Sequence, residues 1–232
     1  MFKKVLMATT FLCFITGTAV ADGFYVRGEA GVSVADIDAK GKKFDSESTG
    51  YVLGFGLGYD KDLNFGLVQS RGTDNVRVEG LLNFSQHDYT AAFFNGKVAL
   101  NSDIDTFSFM PSVYYDAKSL HVYKNNDMTV YPYVGGGLGF AYHNVNDTEG
   151  SFKHYKVSVS NGDNVDFAWH VGAGLRADVN KNWSVSAGWR YVNLGEVETG
   201  STMKVSKYKF KVKKSEADLD AHQFMASVTY KF

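Results

Sequence analysis

The sequence predicts an all-β protein whose eight antiparallel strands close into an up-and-down transmembrane β-barrel, and three observations support this fold class. Eight segments alternate at every second residue between large apolar side chains and glycine, small or charged ones, which is the period of a β-strand. Glycine and aromatic residues are abundant, with 24 Gly and 15% Phe, Trp and Tyr, whereas Pro occurs only 2 times. Beyond the first 21 residues, no segment shows a helical period.

The first 21 residues predict a signal peptide. Two lysines form a basic start, an apolar stretch covers residues 5–15, and the small residues "AVA" at 19–21 suit a cleavage site. The apolar stretch is shorter than the roughly 20 residues of a membrane-spanning helix, so we expect cleavage before Asp22 rather than a membrane anchor.

Cleavage would leave residues 22–232 as a single β-barrel domain. The one cysteine, Cys13, lies in the removed segment, so this domain would have no disulfide and no thiolate metal site. Loss of Lys3 and Lys4 moves the formal charge from −1 to −3, which gives no reason to expect nucleic acid as a partner. A length near 200 residues suits one all-β domain.

The first three predicted strands show the contrast between the two faces. The first covers residues 24–33. The second, "GYVLGFGLGY" at 50–59, places Tyr, Leu and Phe on one face and glycines on the other. The third covers residues 76–85. The charged residues on the small-residue face of the first and third strands are Arg27, Glu29, Arg77 and Glu79.

The next three predicted strands follow the same period. The fourth covers residues 106–115 and contains Pro111, which removes a ladder hydrogen bond, so we expect a bulge there. The fifth, "VYPYVGGGLGFAY", covers residues 130–142, and the sixth, "FAWHVGAGLR", covers residues 167–176. Arg176 lies on the small-residue face of the sixth strand.

The last two predicted strands end the chain. The seventh, "WSVSAGWRY", covers residues 183–191 and places Arg190 on its small-residue face. The eighth, "QFMASVTYKF", covers residues 223–232 and places Lys231 there. The chain stops on an aromatic residue, Phe232, although free chain ends are usually polar and frayed.

The contrast between the faces predicts which of them meets lipid. With the large residues inside, a core about 10 Å thick would have to hold aromatic rings from every strand beneath a surface of glycine and serine. With them outside, the small and charged residues fill the narrow interior of an eight-stranded barrel. The surroundings must then be lipid, which requires a closed sheet. Each segment has about the 9–11 residues that a tilted membrane strand needs.

The polar segments between the strands predict the connections. "DVNKN" at 178–182 is a tight periplasmic turn. The connections 60–74 and 116–129 are long for such turns, so a ten-stranded barrel with extra strands around Phe65–Val68 or Leu120–Tyr123 is the alternative. The predicted outer loops are residues 36–49, 87–104, 143–164 and 196–217.

Charged residues on the interior face are the first candidate site. Burying them requires that opposite charges pair and form hydrogen bonds across the lumen. Such a set either lines a narrow selective pore or forms a structural plug of salt bridges, and a barrel of eight strands favours the plug. The residues are Arg27, Glu29, Arg77, Glu79, Arg176, Arg190 and Lys231.

A lysine-rich segment in the last outer loop, "KVSKYKFKVKK", is the second candidate site. Its lysines alternate with aromatic and aliphatic residues, and together with "SFKHYKVSVS" at 151–160 it can form a hairpin above the membrane. The strip suits a polyanion such as a sulfated glycan, a phosphorylated lipid headgroup or an acidic host protein, and equally the phosphates of neighbouring lipopolysaccharide. The predicted contact residues are Lys204, Lys207, Lys209, Lys211, Lys213 and Lys214.

Residue spacings give no reason to expect a metal, a cofactor or catalysis. The six histidines show neither His-x-His nor His-Glu-x-x-His spacing. The glycine runs lack the following helix of a phosphate-binding loop, and we interpret them as space for side chains from across the barrel. A barrel hydrolase needs a Ser–His pair oriented by a carboxylate, and the predicted lipid-facing positions offer no Ser beside a His.

These strands resemble the small outer-membrane β-barrel family of opacity-type surface proteins, the "porin family", relatives of the outer-membrane protein A barrel. The segments "NVRVEGLLNF", "PSVYYD", "YPYVGGGLGFAY" and "FAWHVGAGLRADVNKNWSVSAGWRYVNLG" look like its strand signatures. The resemblance implies a Gram-negative outer membrane, periplasmic termini and extracellular long loops. It also implies that Phe232 is the signal read by the barrel-assembly machinery.

Members that resemble this chain act as adhesins, surface antigens, envelope-stabilising proteins or small porins. The sequence therefore predicts a non-enzymatic surface barrel whose long outer loops mediate adhesion or envelope-surface interactions. The alternatives are a small porin with a narrow polar lumen and, least favoured, a lipid-modifying barrel enzyme. The expected partners are outer-membrane lipid and lipopolysaccharide, the barrel-assembly machinery, and a host glycan or protein.

Overall fold

Eight long antiparallel strands close into a barrel, as predicted. The computed structural model describes residues 23–39, 45–93, 98–145, 148–152, 155–159, 162–198, 202–205, 208–211 and 216–232. The barrel strands are β1 (Phe24–Ala39), β2 (Asp45–Asp62), β3 (Asn75–Phe93), β4 (Val98–Asp116), β5 (Thr129–Val145), β6 (Gly162–Asp178), β7 (Trp183–Glu198) and β8 (Glu216–Lys231). Each pairs with the next, and β1 pairs with β8 to close the sheet. The predicted signal peptide lies outside the described residues.

The predicted orientation of the two strand faces is confirmed. Large apolar side chains lie on the outer wall, where Leu138 is 63% exposed and Phe140 is 62% exposed. Charged side chains of the alternate positions lie inside, where Arg77 is 1% exposed and Glu79 is 2% exposed. Because adjacent residues of a strand point to opposite faces, this single orientation is imposed on every strand by its period of two.

Aromatic side chains form two groups on the outer wall. One group lies at the end of the barrel where β1 begins and β8 ends, here called the terminal end. Its ring centroids are 5.2 Å apart for Phe24 and Tyr59 and 4.9 Å apart for Trp183 and Tyr230. The other group lies toward the opposite, far end and includes Tyr51, Phe84, Phe107, Trp169 and Tyr191. Two such groups are typical of the interfacial girdles of a membrane barrel.

The polarity of the two faces inverts toward the far end. There the outward positions of the strands carry exposed acidic residues, among them Asp36, Asp103 and Asp163. The inward positions instead form a buried apolar cluster within the barrel. Its members are Ala35, Ile104, Met110, Ala141, Val145, Ala168, Val192, Leu194, Val197, Leu219 and Ala221. Water replaces lipid outside this part of the wall, so apolar side chains are more stable inside it.

The barrel strands continue well past the membrane thickness. They have 16 to 19 residues, whereas a membrane strand needs about 9–11. The predicted boundaries of the outer loops are therefore wrong, because much of each predicted loop is strand. Sequence period alone missed this extension because the inverted polarity hides the alternation that marks the membrane part of each strand.

The ten-stranded alternative is wrong, since the sheet closes with eight strands. A two-residue strand, Tyr123–Lys124, pairs only with the start of β5. Residues Phe65–Val68 form no strand and lead into a short 3₁₀ helix, Gln69–Arg71. None of the described helical segments has the length and apolarity needed to cross a membrane.

The bulge predicted at Pro111 is absent. Phe109 pairs with Phe140 of β5 and Ser112 pairs with Gly137, so the register is the same on both sides of the proline. Pairing with β5 is interrupted only at the proline and the residue before it, while pairing with β3 continues. The missing N–H of the proline therefore interrupts the hydrogen-bond ladder with β5 locally. It does not introduce the extra residue that defines a bulge.

A bulge occurs instead in β7, at Leu194 and Gly195, where the register with β8 shifts. Gly195 has φ +79°, a conformation that side-chain-bearing residues rarely adopt. Asp166 accepts a hydrogen bond of 2.6 Å from the backbone N–H of Glu196, and His143 Nε2 donates one of 2.8 Å to the carbonyl of Leu194. The backbone groups released by the bulge are thus satisfied by side chains.

Four short strands extend one edge of the barrel beyond its wall at the far end. Residues Leu100 and Asn101 of β4 pair with the first of them, and each of the four pairs with the next. The predicted pairing between the lysine-rich segment and the segment at 151–160 is present, since Lys204 pairs with Ser158 and Val205 pairs with Val157. The four strands are Thr148–Phe152, Tyr155–Val159, Thr202–Val205 and Tyr208–Lys211.

At the terminal end, the side chain of Asp74 joins the two long connections between strands. Its carboxylate accepts hydrogen bonds from the N–H of Leu67 (2.8 Å), the N–H of Ser119 (2.6 Å) and the hydroxyl of Tyr115. Burial alone would raise the pKa of Asp74, but these hydrogen bonds outweigh it and hold the pKa below its ordinary value. The connections are therefore ordered by a buried carboxylate rather than by strands.

The outward orientation can be tested with a charge placed on the wall. Leu138→Arg puts a guanidinium near the middle of the lipid-facing surface, and we expect it to lower the free energy of unfolding by about 3 kcal/mol. Asp103→Arg, on the outward face of the far end, should change it by less than about 0.5 kcal/mol. Urea unfolding of the protein in phospholipid vesicles measures both values. Equal effects would contradict a lipid boundary between these two residues.

Candidate functional site in the barrel lumen

The structure places six of the seven predicted lumen residues inside the barrel. The period of two brings them from four different strands to the inner face, and each is at most 8% exposed: Arg27, Glu29, Arg77, Glu79, Arg176 and Arg190. The seventh, Lys231, lies at the rim of the terminal end, where its Nζ is 2.6 Å from Asp60 Oδ1. It belongs to the rim rather than to the lumen.

A chain of alternating charges crosses the centre of the lumen. Arg27 Nη2 lies 2.6 Å from Glu79 Oε1 and 3.2 Å from Glu29 Oε2. Arg190 Nη1 then lies 3.0 Å from Glu29 Oε1. These four side chains connect β1, β3 and β7 across the interior, and each buried charge faces an opposite one, which is the condition for burying it.

Further polar side chains extend this row of paired charges toward the far end. Arg190 donates from Nε (2.9 Å) and Nη2 (2.6 Å) to Gln223 Oε1. Gln223 Nε2 donates to Ser33 Oγ at 3.4 Å, and Ser33 Oγ lies 2.9 Å from His87 Nε2. The network therefore runs from the central ion pairs to the apolar cluster that fills the far end.

A second ion pair lies nearer the terminal end. Arg77 donates from Nε (2.7 Å) and Nη2 (2.9 Å) to the two carboxylate oxygens of Asp116. This bidentate geometry is the strongest form of such a pair. The Arg77 guanidinium also lies over the ring of Tyr114, 4.8 Å from its centroid. The guanidinium of Arg27, which pairs with Glu79, lies 5.1 Å from the same centroid.

The lumen is bounded at the terminal end by Arg176. Its Nη2 donates to Ser184 Oγ at 3.0 Å, and its Nε lies 3.5 Å from Asp178 Oδ1. Ser184 and Tyr131 also donate to Asp178 Oδ1, at 2.8 Å and 2.9 Å. Polar groups thus occupy the lumen from its centre to this end.

Glycines on the inner face provide the space for these side chains. A Cβ at Gly56 would lie 2.6 Å from Glu79 Cδ, and one at Gly58 would lie 2.4 Å from the ring of Tyr25. Both distances are shorter than real contacts, so a larger residue at either position would displace the network. The interpretation of the glycine runs as packing space is confirmed.

A small cavity lies beside the central charges of the lumen. Its volume is about 20 Å³, counted as space for the centres of water molecules, and its lining includes Arg27, Glu29, Tyr133, His170 and Arg190. Such a volume holds about one water molecule. The arrangement can therefore hold charges in place, but along this stretch it offers no wide aqueous path.

A second Ser–His contact, besides that of Ser33 with His87, lies next to the cavity. Ser112 Oγ is 2.8 Å from His170 Nε2, and Ser112 also donates to the carbonyl of Met110. A hydrolytic triad needs a carboxylate on the second imidazole nitrogen, and Nδ1 of His170 has no hydrogen-bond partner among the described residues. The histidine is also buried in the lumen, away from the lipid face. The pair therefore lacks the geometry of a catalytic site.

Sequence reasoning missed several partners in the lumen. Asp116 continues the period of the fourth strand one step beyond its predicted end, so that period could have identified it. Tyr25 lies on the inner face of the first predicted strand, and its hydroxyl donates to Glu79 at 2.9 Å. Gln223 is the first residue of the last predicted strand, at an inward position of it, and the pattern gave no sign that it would accept hydrogen bonds from Arg190. In the part of the chain that the structure describes, no group of three or more His, Cys, Asp or Glu side chains could hold a metal ion.

The lysines of the second candidate site are only partly covered by the structure. Lys204 lies in the strand Thr202–Val205 and is the register partner of Lys209 in the strand Tyr208–Lys211. Lys207, Lys213 and Lys214 lie outside the described residues.

The proposed assembly signal, Phe232, lies at the seam of the barrel. Its N–H donates to the carbonyl of Phe24 at 3.0 Å, and its ring centroid is 5.2 Å from that of Tyr230. The terminal residue is thus held against the first and last strands. Its recognition during assembly stays a prediction.

Comparison with known proteins gave one family match. The model of the outer membrane protein beta-barrel domain matches residues 5–232. No curated protein matches the chain.

Solved structures of other outer-membrane proteins are similar to this chain, including the following three. Neisserial surface protein A is 18% identical, with 90% of this chain and 97% of that chain covered and a TM-score of 0.49. The outer membrane protein OprG from Pseudomonas aeruginosa is 17% identical, with 91% and 96% covered and a TM-score of 0.48. The outer membrane enzyme PagL is 15% identical, with 85% and 97% covered and a TM-score of 0.40.

Removal of one partner of a buried ion pair tests the lumen network. Asp116→Leu leaves the Arg77 guanidinium unpaired, and we expect it to lower the free energy of unfolding by about 3–5 kcal/mol. Adding Arg77→Met should restore much of this loss because no buried charge then remains unpaired. Urea unfolding in phospholipid vesicles measures both.

Asp60→Leu is the matched control for this prediction, since it breaks the partly exposed rim pair with Lys231. It should cost less than about 1 kcal/mol. If the double variant were no more stable than Asp116→Leu alone, the lumen charges would not act as compensating pairs.

Proposed function

The chain belongs to the family of outer membrane protein β-barrel domains, and we propose that it is a closed surface barrel whose far-end loops mediate adhesion or other contacts at the envelope surface. The family implies the outer membrane of a Gram-negative bacterium. In this proposal the terminal end faces the periplasm and the far end faces the surroundings of the cell.

The four short strands that extend the barrel at the far end, Thr148–Phe152, Tyr155–Val159, Thr202–Val205 and Tyr208–Lys211, are here called the protruding sheet. This sheet is the observation that carries the proposal. Four short strands continue from the edge of β4 without closing on the opposite side of the barrel among the described residues. Closure of the barrel does not need them, because its eight long strands already satisfy each other's backbone groups. A sheet that adds nothing to the membrane part supports a role in contacts beyond the membrane.

The charge of the protruding sheet supports a polyanionic partner. Six lysines lie within residues 204–214, and the last two strands of the sheet belong to this segment. The barrel wall below carries exposed acidic side chains such as Asp36, Asp103 and Asp163, which repel polyanions. The lysine-rich segment is therefore the part of the far end best suited to a sulfated glycan, an acidic protein or lipopolysaccharide phosphates.

The packed lumen argues against the porin alternative. Central ion pairs and the far-end apolar cluster occupy successive levels of the interior. A diffusion porin keeps a water-filled lumen, which larger barrels provide and barrels of eight strands do not. We therefore favour a display function over transport.

Replacement of lysines tests the adhesion proposal. The variant with Lys207, Lys209, Lys211 and Lys213 all changed to Ser should bind immobilised heparin and host cells at least about tenfold more weakly than the unchanged protein, because several charge pairs with the partner are lost. The binding of the unchanged protein should also weaken as salt increases.

A matched control changes Lys61, Lys124 and Lys181 to Ser, since these exposed lysines lie at the terminal end. This control should bind like the unchanged protein. Unaltered binding by the four-lysine variant would remove the basis of the proposal, whatever the control shows.

A further inference from the structure

Exposed apolar side chains also occur beyond the barrel wall, on the two long connections at the terminal end. Phe65 and Leu67 lie on the connection between β2 and β3 and are 54% and 62% exposed. Val122 and Tyr123 lie on the connection between β4 and β5 and are 66% and 50% exposed. Short connections between membrane strands need no such residues, and exposed apolar clusters of this kind mark interaction surfaces.

The two connections form one ordered unit. The backbone N–H of Val68, on the first connection, donates to Ser119 Oγ on the second at 3.2 Å. Asp74 accepts hydrogen bonds from both connections, and its own N–H donates to the carbonyl of Phe65 at 3.0 Å. The apolar side chains are thus presented from a fixed backbone.

This unit lies against the outside of the barrel wall. Tyr115 is at an outward position of β4, and its hydroxyl donates to Asp74 of the unit. Tyr115 is half-buried, whereas the next outward residue, Val113, is 52% exposed. The same change occurs on β3 between Val76, which is half-buried, and Val78, which is 54% exposed. The connections therefore cover the wall at this level and continue its apolar surface.

The polar groups of the unit suit a lipid interface. The buried carboxylate of Asp74 is satisfied by hydrogen bonds, so it presents no uncompensated charge. Backbone bonds from Leu63 to Asp74 and from Val122 to Val130 satisfy further groups. Two of the exposed charged side chains, Arg71 and Lys124, are long enough to reach the headgroup region, and a third, Asp127, lies at the tip of the second connection.

We propose that these two connections form an interfacial anchor that inserts its apolar side chains into the lipid leaflet next to the terminal end. The occupant of the surface is phospholipid, because the exposed side chains are continuous with the lipid-facing wall and with the aromatic group at this level. Apolar faces of this kind bury about 5–10 Å into the boundary between headgroups and acyl chains. The anchor fixes the depth of the barrel. That the leaflet is the periplasmic one rests on the proposed orientation, but the insertion itself does not.

Site-specific fluorescence tests the anchor. Cys13 is the only cysteine, so the full chain with Cys13→Ser accepts a single environment-sensitive label at Leu67→Cys or Val122→Cys. Val113→Cys provides a wall control in lipid, and Asp127→Cys, on the exposed tip of the second connection, provides a control in water. Each variant is first shown to be folded in phosphatidylcholine vesicles by its heat-modifiable migration on a gel.

The anchor predicts that the labels at residues 67 and 122 are quenched by lipids with a spin label near the headgroup, to about the extent of the wall control. It also predicts that aqueous iodide quenches them much less than the label at residue 127. If either label behaves like the label at residue 127 in both measurements, the lipid anchor is overturned and the apolar surface serves another partner.

Discussion

The narrow interior of an eight-stranded barrel is the constraint on which the rest of this structure depends. It has room for side chains and for little else, so each inward residue must fit and be satisfied by its neighbours. Four arginines meet this requirement through carboxylates on other strands or at a strand end, as Arg77 does with Asp116 at 2.7 Å. Glycines opposite the largest side chains supply the remaining volume. The lumen is therefore a packed polar interior along this stretch.

The solvent outside the wall determines what the inside contains. Where lipid surrounds the strands, apolar side chains point outward and charges are paired inside. Where the same strands continue into water, acidic side chains point outward. Inside that part of the barrel, the buried apolar cluster replaces the paired charges. The far end thus buries apolar side chains inside, as a soluble β-barrel does. The membrane part has the opposite arrangement, with apolar side chains outside and polar ones inside. This continuity provides a rigid base for the protruding sheet.

The sequence predicted the features that depend on local period, and it missed those that depend on stagger across the barrel. Strand number, strand orientation and the inward position of Arg27 or Arg190 follow from alternation alone. The pairing of Arg190 with Glu29 joins residues 161 positions apart, which depends on the stagger of all strands. The strand extensions were missed because their polarity is inverted, and the role of Asp74 was missed because its partners come from two connections without periodicity.

Single-channel conductance tests the packed lumen most directly. The folded protein is inserted into planar lipid bilayers, and insertion is verified by the heat-modifiable band of protein recovered from the same lipid. The paired charges and the apolar cluster predict a silent membrane at every salt concentration. A stable open level whose conductance increases with salt would show a continuous water-filled path through the barrel and would contradict the account.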